Sequence, residues 1–187
     1  FGADERQLRH FVDIKIEGNS RIERLYAEEM PAPFLSILID DCVAKGTDYN
    51  AGGARYDTSY IQGVGLGTVT DGMTAIRYHV FDRPAISMGD LLAALDRDFE
   101  GDERLRQMLL NRTPRYGNDD DYPDGVMRRL FDAYFDAVDG RANTKGGTYR
   151  INLLPTTVHV YFGSVIGATP DGRRASRPLS EGVSPLQ

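Results

Sequence analysis

Apolar residues recur at helical spacing along most of this chain and alternate in only a few short stretches. Leu8, Phe11, Ile14, Ile22, Leu25 and Tyr26 predict a first helix over residues 4–30, broken near Gly18-Asn19 and stopped by Pro31 and Pro33. FLSILIDDCV, residues 34–43, is dense enough to predict a buried helix. KGTDYNAGGARYDTSY is too rich in glycine for regular structure and predicts a defined loop. A short strand follows over 59–64, then an amphipathic helix over 68–81. Ser87 is placed to cap a helix that runs to Phe99, and Gly101-Asp102 restarts one to about Asn111. RTPRYGNDDDYPDG reads as a polar loop. Val126, Leu130, Tyr134 and Val138 stripe a helix over 125–138. NTKGG is a turn, and two short apolar runs flank Pro155. The second, TVHVYFG, predicts the best strand in the chain. The remainder, from Ser164, predicts loop. Helices with a few strands make an α/β chain, with too few strands to close a barrel alone.

Composition narrows the class. The 187 residues are 41% hydrophobic and carry 22 basic against 28 acidic side chains, a net charge of -6. That is enough apolar material for a core and gives no basic run for nucleic acid or an anionic membrane surface. No apolar run approaches the roughly 20 residues of a membrane helix, and no signal peptide is visible. The single cysteine, Cys42, cannot form an internal disulfide, which points to a reducing cytoplasm. The chain opens on Phe1 and stops after a Gly- and Pro-rich run, so both ends read as cut.

Several chemistries lack their residues. His10, His79 and His159 are far apart, without the spacing of a zinc site. GxSxG is absent. GVGLGT, residues 63–68, sits between a strand and a helix, but reads GxGxG rather than the dinucleotide fingerprint, so close helix–strand packing is its expected use. Cys42 lies beside Asp40 and Asp41 in an apolar segment, which disfavours a thiolate and predicts a buried structural thiol. Asn118 to Asp121 lacks the glycine and closing glutamate of a calcium loop.

Three stretches carry a resemblance. DDCVAKGTDYNAGGARYDTSYIQGVGLGTVTDGMTAIRYHVFD, YGND at 116–119, and GATPDGRRASRPLSEGVSP at 167–185 resemble, in order and spacing, the glycyl radical enzymes related to pyruvate formate-lyase. The resemblance implies an α/β fold, part of a ten-stranded barrel of two half-barrels, with residues 1–187 a fragment of that barrel domain. It implies a radical stored on a backbone glycine, installed by a radical SAM iron–sulfur activating enzyme and passed to a cysteine that abstracts hydrogen from substrate. Neither the family's Gly-Cys-x-Glu loop nor its Arg-Val-(Ala or Ser)-Gly-Tyr loop occurs here, and Cys42 falls in a different element. The fragment is therefore expected to bind no cofactor, to contain no catalytic residue and to be inactive alone. A homodimeric full-length enzyme is expected. Asp171 and Arg173 of PDGR are expected to pair across a turn and hold a loop.

The branch is read from TVHVYFG. On a strand, Thr157, His159 and Tyr161 share one face, expected to line the substrate pocket, while Val158, Val160 and Phe162 pack on outer helices. Pyruvate formate-lyase has Asn-Val-Val-Tyr-Gly at this place, so the pocket face departs from it. The form resembles the dehydratases acting on glycerol, propane-1,2-diol or trans-4-hydroxyproline, which implies loss of water from a small hydroxylated substrate. The alternatives are acyl transfer of the pyruvate formate-lyase type, a non-catalytic part of a split enzyme, and nucleotide binding through GVGLGT.

Overall fold

A computed structural model describes residues 1–185. Helices dominate: α1 (Gly2–Glu29), α2 (Pro33–Ser36), α3 (Asp40–Lys45), α4 (Leu66–Ile76), α5 (Met88–Asp96), α6 (Glu103–Arg112), α7 (Asp121–Val138) and α8 (Val158–Val165). Two strands, β1 (Ser59–Gln62) and β2 (Tyr149–Asn152), pair in parallel as a two-stranded sheet. Each strand feeds a helix through a short loop, which is the repeating unit of an α/β barrel. The chain divides into two compact units, residues 1–61 with 133–152, and residues 62–132 with 153–187.

In the first unit, α1 runs unbroken through Gly18 and Asn19, where a break was expected. Two glycine-class penalties are small against the packing of Val12 and Ile16, which are buried, and the Ser20 hydroxyl meets the Tyr149 hydroxyl at 3.3 Å. Glu23 gathers hydrogen bonds from the Ser59 hydroxyl and from the Thr144 hydroxyl and amide, which hold its carboxyl below the usual range against the opposing effect of burial. The expected buried helix over 34–43 does not form. Two short helices replace it, and Phe34, Ile37, Leu38 and Val43 are exposed. Asp48 explains the break: its carboxylate takes the Ala32 amide and the Ser36 hydroxyl, fixing a tight turn there. Cys42 is buried, as its setting predicted.

In the second unit, Ser87 caps α5 by accepting from the Asp90 amide at 3.1 Å. Ala75, Leu91, Ala94, Phe99 and Leu109 form a buried cluster. α4 starts two residues earlier than the pattern predicted and passes into a wider π-type turn, Arg77–Asp82. α7 begins at Asp121, inside the expected polar loop, because acidic residues and a proline suit a first helical turn.

TVHVYFG is helix α8 and not a strand. Its β-branched and aromatic residues favour a strand locally, but tertiary contacts override them. Gly163 lies so close to Arg177 and Pro178 that a Cβ there would stand 2.2 Å from the Arg177 carbonyl oxygen. The Leu179 amide donates to the His159 carbonyl, and the Arg173 guanidinium donates to the Ile166 and Gly167 carbonyls just past the helix end. Those contacts hold the segment in its helical form.

Candidate active-site edge

The second unit brings the two signature stretches together at the starts of α4 and α8. Gln62 ends β1. Its side-chain amide nitrogen donates to the Gly63 carbonyl at 3.1 Å and to the Leu154 carbonyl at 2.7 Å, so it ties the loop leaving β1 to the loop leading into α8. Ser180 of the PLSEGVSP stretch sits on the first turn of α4. Its hydroxyl accepts from the Thr68 amide at 2.9 Å, and its amide donates to the Thr68 hydroxyl at 2.8 Å. That supplies one of the orphan amides of a helix start. Gly182 packs on Leu153, where a Cβ would stand 2.1 Å from the carbonyl oxygen. In α/β barrels such loops, at the carboxyl ends of parallel strands, carry the chemistry.

PDGR is the clamp behind this edge. Asp171 and Arg173 are both buried, and the Arg173 amide donates to the Asp171 carboxylate at 3.5 Å. The Thr169 hydroxyl stands between them, donating to Asp171 and accepting from Arg173. Arg173 also donates to the carbonyls of Arg174, Arg177, Ile166 and Gly167. Burial lowers its pKa, opposed by Asp171 and Asp98. The two residues meet across the turn as expected, through the Arg173 amide and, for the guanidinium, through the Thr169 hydroxyl. Arg106 fixes the Gly172 carbonyl at 3.0 Å, and Arg174 reaches Glu103 and the Asp98 carbonyl.

Behind α4, Asp71 of the first signature meets YGND. Its carboxylate accepts from Arg115 at 3.1 Å and from the Tyr116 amide at 2.9 Å, while Arg115 also holds the Asp171 carbonyl at 2.8 Å. Burial raises the Asp71 pKa despite these donors. Three distant motifs thus share one buried network, within the second unit.

The helical form of residues 158–165 separates the three expected pocket residues. Thr157 and Tyr161, four apart, fall on one side of α8 and are exposed, Tyr161 at 65%. His159 falls on the other side. It is half-buried, and its Nδ1 hydrogen-bonds the Thr156 carbonyl at 2.5 Å. Sequence reasoning missed Gln62 and Ser180. Ser180 lay inside a quoted motif, whereas Gln62 carried only its place within the strand expected over 59–64, which in the structure ends at Gln62.

Comparison with known proteins decides the family. The description "Pyruvate formate lyase-like" matches residues 3–163. This chain belongs to the pyruvate formate lyase-like family. Within that family it is 54% identical, over 99% of its length, to trans-4-hydroxy-L-proline dehydratase of Clostridioides difficile, and spans 23% of that enzyme. The crystal structure of that dehydratase with trans-4-hydroxy-L-proline bound superposes with a TM-score of 0.96. The glycerol-bound B12-independent glycerol dehydratase of Clostridium butyricum is 38% identical, with a TM-score of 0.91 over 97% of this chain and 23% of that one. Isethionate sulfite-lyase of Desulfovibrio desulfuricans is 36% identical over 87% of this chain and 20% of its own length. These relatives are glycyl radical enzymes, and this chain is a piece of such a barrel. No helix among the described residues is long and apolar enough to cross a membrane.

Proposed function

We propose that this chain is a stretch of barrel wall from a glycyl radical dehydratase, and that the full-length enzyme removes water from a small hydroxylated substrate. The observation that carries the reading is the 54% identity across 99% of the chain with a dehydratase of hydroxyproline. Chain-long identity of that degree preserves the wall around a site, and the wall selects the substrate. All 187 residues belong to one barrel domain in this reading, and none of them is the radical glycine or the hydrogen-abstracting cysteine. The radical is installed by a radical SAM activating enzyme. The full-length protein works as a homodimer in the cytoplasm, without nucleic acid or membrane. The acidic balance, the absence of a basic run and the single cysteine support that setting.

On the substrate side we place Thr157 and Tyr161, which share an exposed side of α8, with His159 holding the Thr156–Thr157 corner. A hydroxyl-bearing pair suits a substrate whose leaving group is itself a hydroxyl.

The test uses the full-length enzyme, activated without oxygen. It is offered trans-4-hydroxy-L-proline, glycerol, propane-1,2-diol, pyruvate with coenzyme A, and isethionate. Loss of water from one of the first three, dependent on the glycyl radical signal in electron paramagnetic resonance, is expected. Formate from pyruvate, or sulfite from isethionate, with no dehydration, sinks the proposal. Thr157→Val and Tyr161→Phe are expected to raise KM about tenfold while leaving the radical signal intact.

A further inference from the structure

β1 alternates between two faces. Ser59 and Ile61 are buried, and the Ile61 carbonyl accepts the Tyr134 hydroxyl at 2.7 Å, so that face is the one covered by helix. Tyr60, 58% exposed, and Gln62, half-buried, occupy the other face. In a helix-wrapped barrel the face away from the helices is the interior, and Gln62 stands at the carboxyl end of its strand. The amide of Gln62 is also fixed in its sense. Both groups it touches are backbone carbonyls, which only accept, so the NH2 faces Gly63 and Leu154 and both N–H groups are used. The carbonyl oxygen Oε1 takes no hydrogen bond from the described residues. With its NH2 turned to the two carbonyls, the amide holds Oε1 as an oriented acceptor on that face of the strand.

We infer that Gln62 is a specificity-determining residue whose Oε1 accepts a hydrogen bond from a hydroxyl group of the substrate, its NH2 being locked to the Gly63 and Leu154 carbonyls. The inference rests on the dehydratase reading above, since a hydroxyl donor is what that substrate class offers. A neutral acceptor suits this task. It binds the hydroxyl without taking its proton, and a site built to pair a hydroxyl rejects the analogue that lacks it. The tie to Leu154 places the same residue beside the loop that carries Thr157.

Binding to the full-length enzyme before activation isolates recognition from turnover. Affinities for two pairs, trans-4-hydroxy-L-proline against L-proline and propane-1,2-diol against 1-propanol, are measured by calorimetry. Wild type is expected to prefer the richer hydroxyl donor of the pair it binds by about tenfold or more. Two substitutions then separate the acceptor from the tie. Gln62→Lys keeps donors for both carbonyls and has no acceptor, and it should lose the preference. Gln62→Glu keeps an acceptor and loses the tie, and it should retain the preference even where its melting temperature falls. If the preference survives in Gln62→Lys and vanishes in Gln62→Glu, Gln62 is a loop tie only and the inference is overturned. Equal weakening of both members of a pair in both variants overturns it as well. Should wild type bind neither member of either pair, the dehydratase reading fails first and takes this inference with it.

Discussion

Asp71 and Arg115, 44 residues apart, meet at 3.1 Å in the second unit, with Asp71 only 1% exposed. The pair ties helix α4 to the YGND loop, and Arg115 extends the tie to the PDGR loop through the Asp171 carbonyl. Burial holds the Asp71 pKa above its usual value, so ionised Asp71 depends on its donors. Asp71→Asn removes the negative charge beside Arg115 and one of the two acceptors, so an NH2 faces either the guanidinium or the Tyr116 amide. The expected cost is about 2–3 kcal/mol, discounted for the partial exposure of Arg115. Hydrogen exchange of α4 amides in the full-length protein measures it, and unchanged protection refutes it.

His79 predicts acid sensitivity. The Thr113 hydroxyl donates to the Leu109 carbonyl at 2.6 Å, so it must accept from His79 Nε2, 3.1 Å away, which places the imidazole proton on Nε2. Burial first, then nearby Arg112, lowers the His79 pKa below its ordinary 6.5. The unfolded chain therefore binds the proton more readily than the folded one. Stability is fully present above 6.5 and falls as pH drops from there toward the folded value. His79→Gln keeps an amide donor in place of Nε2 and removes the titration. Thermal melting between pH 7 and 5 should flatten in that variant, and an identical slope in both proteins contradicts the assignment.

Arg173 gathers four carbonyls and a hydroxyl around the end of α8. Arg173→Lys keeps the charge but has too few donors in the wrong geometry. Loss of protection confined to the α8 amides is expected, with the radical signal kept. Global unfolding, or no change, speaks against the clamp.

Cys42 is 2% exposed, and the Gly53 backbone lies against it, where a Cβ would stand 2.7 Å from Sγ. In the folded full-length enzyme it should resist iodoacetamide until denaturant is added. Cys42→Ala should keep turnover, whereas Gly53→Ala should destabilise the loop by several times as much, since a backbone carbonyl also blocks the new Cβ. Fast labelling of the native enzyme would show the thiol to be accessible.

Much of the fold was legible in the sequence because it is written in local terms. The stripe Val126, Leu130, Tyr134, Val138 became the buried face of α7, Ser87 became a cap, and the Asp-Cys, YGND and PDGR elements named the family before any contact was known. What the sequence could not supply was the state of residues whose local preference and tertiary setting disagree. Residues 158–165 carry strand-forming side chains, yet the backbone at Arg177 and Pro178 presses on Gly163 and Arg173 holds the carbonyls beyond, so a helix forms and Thr157 and Tyr161 part from His159. Gln62 shows the same limit in another way. Its amide acquires a direction only when the Leu154 carbonyl, 92 residues away in sequence, arrives to accept from it. Periodicity and turn chemistry act within a few residues and are fixed by the sequence itself. A hydrogen bond between distant loops exists only once packing has brought them together, and that was decided by the tertiary structure.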